Sequence, residues 1–280
     1  MSNTGPSVSD VSLGYPYSPP IPSGAGRFLD WYYPDYASLL SGASMAWKNR
    51  NGAAVTPTSS LGGTAAFNLA TINGVGCQLY RTFAAADKAI QQPSQVLMFN
   101  PRTLASPIPP SGDDMGCIRF MMNICAAGGL YPADNVHDYG FGWVRSNALS
   151  GLFWADAADG MAVRILDAAH IQLGIRGPNG LILASFAYDT TQFHTCEMVY
   201  MPPTRSAGAQ FAFLIDGQRQ PLPAKSTSWA AGTNLPTDQF VGSRLGFIPY
   251  IANFLGQIGD NSLCIQQGRL IAAPSYAAAL

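Results

Sequence analysis

Charge is the first thing this 280-residue chain lacks: 11% of its residues are charged, and the formal net charge is −1. A protein whose main partner is nucleic acid carries a surplus of Lys and Arg that neutralises phosphates, and this chain has no surplus. Residues 1–47 contain one basic residue, Arg27, against Asp10, Asp30 and Asp35. The composition therefore predicts no nucleic-acid partner. Aromatic residues at 11% also exclude a wholly disordered chain.

Strong helix formers are also scarce. The chain has three Lys and a single Glu, Glu197, but 29 Gly and 21 Pro. Glu and Lys populate exposed helix faces, whereas Gly and Pro interrupt helices and favour turns. The composition thus predicts strands joined by turns.

Long apolar runs are absent, and the first residues contain neither a basic stretch nor an apolar one. A bilayer-spanning helix needs about 18 or more apolar residues in succession, and a secretory signal needs an apolar core behind a basic start. We therefore expect no membrane partner, and synthesis in a host cytoplasm without a signal peptide.

Metal-binding and redox motifs are missing as well. The five cysteines are scattered without a Cys-x-x-Cys pair, and only three histidines occur. We expect buried, reduced thiols, no metal and no cofactor. Acidic segments at 113–114, 134–138 and 156–159 are the only candidates for a calcium loop. They lack the alternating Asp spacing of such loops, so turn-forming Asp is the favoured interpretation.

What the chain does contain begins with an N-terminal segment rich in Pro, Gly and aromatic residues. Five prolines fall within residues 1–26, which favours an extended arm over a helix or a central strand. An aromatic cluster at 28–36 follows. It either packs on its own domain or docks on a neighbouring subunit. The partner-binding residues predicted for the docking alternative are Tyr15, Tyr17, Phe28, Trp31, Tyr32, Tyr33 and Tyr36.

Many short strands follow, at spacings near ten residues. The clearest pair is 170–176 and 181–187, separated by Gly177-Pro-Asn-Gly180, which predicts a β-hairpin. Other predicted strands cover 117–125, 139–144, 161–166, 193–200, 209–215, 244–250 and 261–266, and a short helix is predicted at 84–91. This pattern indicates an all-β jelly-roll β-sandwich at residues 61–280 behind an arm at residues 1–60.

The stretch from Ile171 to Leu222 resembles the concanavalin A-like, or laminin G-like, jelly-roll superfamily. A hairpin is followed by Phe193-His194 at a strand start, then by a strand ending in Asp216-Gly217. The segment 258–265 is similar to the closing core strand of that superfamily, and the resemblance covers roughly residues 115–266. The superfamily includes lectins, glycan hydrolases, adhesion modules and domains of phage particles, so the fold does not select a function.

Catalytic motifs are not visible in the sequence. A glycosidase of the glucanase type needs two carboxylates beside the scissile bond, and the chain has one Glu. The nucleophile elbow, the phosphate loop and the zinc-protease motif are all missing. We expect Glu197 to be an exposed residue on a strand face and His194 to be a structural residue hydrogen-bonded near a turn. The sequence therefore predicts no catalytic residue and no enzymatic activity.

Two functions remain after these exclusions. The first is a non-enzymatic structural protein of a phage particle, a capsid-decorating or minor head protein. It would be located in the virion, would form a homo-oligomer and would be held to other virion proteins by its arm. The alternative is a carbohydrate- or receptor-binding lectin-like module or adhesin, with a glycan as partner. For that alternative Trp229 and Tyr188 are the predicted ligand-binding residues, since sugars stack on exposed aromatic rings.

Overall fold

Two β-sheets form the body of the protein. The computed structural model describes residues 26–33, 47–49, 53–55, 59–61, 66–72, 74–81, 96–99, 117–126, 137–145, 160–177, 180–201, 210–223, 245–253 and 262–279. Within these ranges nearly every residue in regular structure is in a strand. The exception is the four-residue helix α1 (Tyr276–Ala279), and no helix among the described residues is long and apolar enough to cross a membrane.

Counted over the described residues, the larger sheet has ten strands. In chain order they are β1 (Leu29–Tyr33), β2 (Trp47–Asn49), β3 (Ala54–Val55), β5 (Ala66–Ile72), β6 (Val75–Arg81), β8 (Cys117–Ala126), β13 (His194–Met201), β14 (Gln210–Ile215), β15 (Gln218–Arg219) and β17 (Ser262–Ala273).

The smaller sheet has seven strands in the part of the chain that the structure describes. They are β4 (Ser59–Leu61), β7 (Val96–Phe99), β9 (His137–Arg145), β10 (Gly160–Asp167), β11 (His170–Gly177), β12 (Gly180–Ala187) and β16 (Leu245–Asn253). Their spatial order is β12-β11-β10-β9-β16-β7-β4. All described pairings in both sheets are antiparallel.

β17 organises the ten-stranded sheet because it is the longest described strand and pairs with three others. It lies along all of β8, while its other edge pairs first with β6 and then with β1. On the far side of β8 the order continues to β13, β14 and β15. The strand pattern predicted only the first part of β17, because the regular alternation of sides breaks at a β-bulge between Ile265 and Gln267.

The two sheets pack face to face through alternate side chains. Phe186 on β12 contacts Phe213 on β14, with ring centroids 5.4 Å apart. Phe120, Met198 and Leu173 lie in the same buried layer. One face of each sheet is therefore the core face, and the opposite face is called the outer face below.

The all-β jelly-roll sandwich predicted from the sequence is confirmed. The predicted hairpin is β11–β12, with Gly177 opposite Gly180 across the turn. Six of the other predicted strands correspond to β8, β9, β10, β13, β14 and β16. The predicted helix at 84–91 lies outside the described residues.

The ten-stranded sheet includes β1, which lies within the segment that the sequence predicted to be an N-terminal arm. β1 pairs with β17 and β2 of its own chain, and Trp31 within it is 3% exposed. Leu29 and Trp31 alternate with polar residues at the strand period of two, so both side chains face the core. Trp31 is therefore buried inside its own chain, as the first of the two alternatives for the aromatic cluster describes.

Candidate functional site

A pocket at one end of the ten-stranded sheet combines apolar walls with polar side chains. Its volume is about 400 Å³, and its lining, called the edge pocket below, consists of Phe211, Arg219, Gln220, Pro221 and Leu222. Small-molecule sites in proteins typically have volumes of about 300–1,000 Å³. The edge pocket is therefore large enough to hold a sugar-sized ligand.

The local sequence explains why the pocket forms here. β14 ends in a turn at Asp216 and Gly217, both with positive φ (51° and 76°), as a two-residue hairpin turn requires. The returning strand β15 lasts only two residues, because Pro221 and Pro223 follow it and proline has no N–H for a sheet. The chain therefore leaves the sheet beside the start of β14 and forms one wall of an open pocket there.

Gln220 is fixed in the pocket wall. Its Nε2 donates hydrogen bonds to the hydroxyl of Tyr188 and to the carbonyl of Gln218, each 2.9 Å long. Both hydrogens of the amide nitrogen are thereby used. The acceptor Oε1 is left to receive a hydrogen bond from a ligand hydroxyl.

The ring of Tyr188 packs against His194. Its ring meets the ring of His194 edge to face, with centroids 5.1 Å apart. Nδ1 of His194 bonds the carboxylate of Asp216 at 2.7 Å, and Nε2 bonds the carbonyl of Asp189 at 2.9 Å. Because both ring nitrogens are engaged, His194 presents no lone pair to a ligand. The prediction that His194 is a structural residue beside a turn is confirmed.

The segment carrying Tyr188 is anchored between the sheets by Thr190. Its side chain, 1% exposed, donates from Oγ1 to the carbonyl of Asp167 at 2.8 Å. The backbone N–H of Ala126 donates to the carbonyl of Thr190 at 2.7 Å. Thr190 thus joins the end of β8 in one sheet to the β10–β11 turn in the other, which fixes the position of Tyr188.

A second polar feature crosses the outer face of the seven-stranded sheet. Nε of Arg164 donates to Gln172 at 2.9 Å, and Nε2 of Gln172 donates to the hydroxyl of Ser185 at 3.0 Å. These three residues lie side by side on β10, β11 and β12. Arg164 and Gln172 are each 7% exposed, whereas Ser185 is exposed. These two hydrogen bonds therefore link polar side chains of three neighbouring strands.

The outer face of the ten-stranded sheet carries an ion pair beneath α1. Nε of Arg119 donates to the carboxylate of Glu197 at 2.6 Å, and its Nη1 donates to the carbonyl of Ala279, also at 2.6 Å. Glu197, expected to be exposed, is 7% exposed. That expectation is wrong because α1 packs over this face, which no strand pattern could indicate.

The other predicted site residues are distributed as follows. Phe28 is half-buried, and its N–H donates to the carbonyl of Ala272 at 2.8 Å. Tyr32 and Tyr33 lie in β1 opposite Arg269 and Gly268. The remaining predicted site residues, Tyr15, Tyr17, Tyr36 and Trp229, lie outside the described residues. Tyr188 does not line the edge pocket, but its hydroxyl accepts the hydrogen bond from the lining residue Gln220.

Sequence reasoning missed Phe211, Arg219 and Gln220 as site residues. The available signal was the proline-containing tail directly after the Asp-Gly turn, since such a tail cannot extend the hairpin. Among the described residues, no group of three or more His, Cys, Asp or Glu side chains has the geometry to hold a metal ion.

Comparison with known proteins gives structural similarities only. No protein-family model matches the chain, and no curated protein matches its sequence. A carbohydrate esterase from the Shiga toxin-encoding bacteriophage phi24B is 15% identical, with a TM-score of 0.47 over 88% of this chain and 98% of that one. An alginate lyase, vAL-1 from Chlorella virus, is 11% identical, with a TM-score of 0.46 over 86% and 98%. An endo-1,3-beta-glucanase from Streptomyces sioyaensis is 12% identical, with a TM-score of 0.38 over 79% and 99%.

These similarities concern the fold. They contradict the predicted non-enzymatic structural role in a virus particle, because the similar structures are enzymes named for carbohydrates. The prediction of no enzymatic activity is contradicted by the same finding. The missing glutamate pair excluded one catalytic arrangement and not carbohydrate chemistry as a whole.

Proposed function

We propose that this protein binds a saccharide and that the edge pocket is the binding site. The observation that carries the proposal is the combination, in one pocket of about 400 Å³, of apolar walls with the side chains of Arg219 and Gln220. A sugar ring has apolar C–H faces and a rim of hydroxyls. It therefore needs both kinds of surface at once.

Each lining residue has a distinct part in this proposal. Phe211, Pro221 and Leu222 offer apolar surface to the C–H face of the ring. Gln220, fixed by Tyr188, offers Oε1 to a hydroxyl without an entropic cost of ordering the side chain at the moment of binding. Arg219 is exposed and presents N–H donors in a fixed fork.

The guanidinium of Arg219 also indicates the class of saccharide. Hydrogen bonds from a guanidinium to a carboxylate are shorter and about twice as strong as neutral ones, and they are often bidentate. An acidic oligosaccharide, one that carries a uronate carboxylate, should therefore bind more tightly than a neutral one of the same length.

The experiment is a calorimetric titration with two matched panels, neutral oligosaccharides and uronate oligosaccharides. We expect binding of the uronate panel and a loss of roughly tenfold or more in affinity for Arg219→Gln, since hydrogen bonds to charged groups contribute about 1.5–3 kcal/mol. Tyr188→Phe should weaken binding by a smaller factor, because it frees Gln220. Gln218→Ala is the matched control on the same short strand and should leave the affinity unchanged.

Two results would overturn the proposal. One is the absence of binding to either panel. The other is binding that is unaffected by Arg219→Gln and Tyr188→Phe but lost in Trp229→Ala, which would assign the site to Trp229 instead.

A further inference from the structure

β12 ends the seven-stranded sheet of the described residues, and its sequence lacks the features that usually protect a terminal strand. In the described part of the chain it pairs on one side only, with β11. Its eight residues, Gly-Leu-Ile-Leu-Ala-Ser-Phe-Ala, contain neither a charged residue nor a proline. A free edge exposes a row of backbone N–H and C=O groups, and proteins that stay monomeric usually block it with charges, prolines or very short strands.

Three of the four other terminal strands of the described sheets show this contrast. β3 and β15 are two residues long and β4 is three. β15 also contains Arg219 and runs into prolines. β5, with seven residues, is the second long terminal strand, and it pairs only with β6 in the described residues.

β12 also carries an exposed apolar side chain at its middle. Leu183 is 45% exposed and is the large hydrophobic residue that stands out to solvent among the described side chains. It lies on the outer face, in register with Gly174 of β11, which offers no side chain to cover it. An unpaired backbone edge and an exposed leucine therefore coincide on one strand.

We propose that two copies of this chain associate through antiparallel pairing of β12 with β12, joining the two seven-stranded sheets into one. A second copy fits this edge because an antiparallel strand pair has two-fold symmetry and an uncharged strand does not repel itself. This self-association is independent of saccharide binding in the edge pocket.

The pleat of the sheet restricts the register. Side chains alternate between faces, so an outer-face residue of one copy must lie opposite an outer-face residue of the other. A two-fold axis at Leu183 satisfies this rule, sets the two exposed leucines against each other and places Leu181 opposite Ser185. The pairing then covers residues 180–186 of each copy.

The first experiment is the molar mass in solution, measured by light scattering after size-exclusion chromatography. We expect twice the 29.7 kDa chain mass for the wild type. Leu183→Lys should raise the dimer dissociation constant by roughly tenfold or more, because a charge at the edge disfavours pairing. Gln218→Lys, at an exposed position on β15, is the matched control and should remain dimeric.

The second experiment tests the register by cross-linking with a small-molecule disulfide as oxidant. All five native cysteines are buried, so an introduced cysteine is the exposed thiol. Leu183→Cys should form an intermolecular disulfide, since directly opposed Cβ atoms lie about 4.5–5.5 Å apart in an antiparallel pair. Leu181→Cys should not, because its two copies would be offset by four residues, roughly 13 Å along the strands.

Three outcomes would overturn the proposal: a monomeric wild type at the highest soluble concentration, a dimer that persists in Leu183→Lys, or equal cross-linking by Leu181→Cys and Leu183→Cys. If the Leu183→Lys variant remains dimeric, we would infer that β5, the other long terminal strand, forms the interface.

Discussion

The carboxylate of Asp30 receives two parallel hydrogen bonds from the guanidinium of Arg269, from Nε to Oδ1 and from Nη2 to Oδ2, each 2.9 Å long. The two residues are 239 positions apart in the chain and lie on the paired strands β1 and β17. Their side chains are 1% and 4% exposed. Nη1 of Arg27 donates to the same carboxylate at 2.9 Å, so the buried carboxylate of Asp30 pairs with two guanidinium groups.

Removing the charge of Asp30 should strongly destabilise the fold. Asp30→Asn leaves buried guanidinium groups without their counter-ion, and breaking a buried pair in this way costs about 3–5 kcal/mol. The measurement is the free energy of unfolding in urea. The double variant Asp30→Leu with Arg269→Met should lose much less than the sum of the two single losses. Strictly additive losses would contradict a coupled pair.

The second ion pair, Arg119 with Glu197, links the outer face of the ten-stranded sheet to α1. Glu197→Gln should lower the free energy of unfolding by about 1.5–3 kcal/mol, because it removes a hydrogen bond between charged groups. Glu197→Asp keeps the charge and is the matched control for the loss of charge alone. An unchanged stability in Glu197→Gln would show that solvent already screens this pair.

The five cysteines should resist modification in the folded protein. Burial is the main cause that raises the pKa of Cys117 to about 12. The pKa of Cys264 is also raised to about 12, chiefly by a hydrogen bond with Cys125 and further by burial, while a hydrogen bond with Cys77 lowers it. At pH 8 a thiol with such a pKa is deprotonated in roughly one molecule in 10⁴. A chromogenic disulfide reagent should detect no fast-reacting thiol in native protein and five in urea. Rapid modification of a native thiol would contradict this prediction.

The turn after β12 should contribute stability that depends on pH. Hydrogen bonds from the hydroxyl and the N–H of Thr191 hold the pKa of Asp189 below its usual value. Because the pKa of Asp189 is lower in the folded state than in the unfolded state, its carboxylate stabilises the fold. This stabilisation is fully present above the unfolded-state pKa of about 3.9 and is lost as the pH falls through the folded-state pKa.

Thr191→Val should therefore be less stable than the wild type at about pH 7, and the difference should shrink at about pH 2.5, where the carboxyl is protonated. Urea midpoints at the two pH values measure it. Thr191→Ser keeps the hydroxyl and should follow the wild type at both. A difference for Thr191→Val that does not change with pH would exclude the carboxylate as the cause.

The strands that could be predicted are those whose side chains alternate without interruption. The hairpin β11–β12 is the clearest case, since Ile171, Leu173 and Ile175 alternate with small or polar residues and strong turn residues follow. β1 was not predicted as a strand of the sandwich because its aromatic residues are equally compatible with a docking segment. Only the pairing with β17 decides between the two interpretations.

The candidate site was harder to predict than the fold. Tyr188 could be named because sugars stack on exposed aromatic rings, but in the structure it binds the lining residue Gln220 and does not line the pocket itself. Arg219 and Gln220 could not, because their role depends on a space between β14 and the returning chain. A pocket is a property of where two segments lie in space, and neither segment indicates it alone.

By itself, the sequence determined a sandwich of short antiparallel strands, five buried thiols and a chain with too little positive charge for nucleic acid. These properties follow from side-chain periodicity, turn residues and composition, all of which are local or additive. The tertiary structure alone decided that Trp31 is a core residue, that Glu197 is buried beneath α1, and that Gln220 meets Tyr188 at a pocket. Those facts depend on contacts between residues far apart in the chain, and such contacts form only when the whole sheet is assembled.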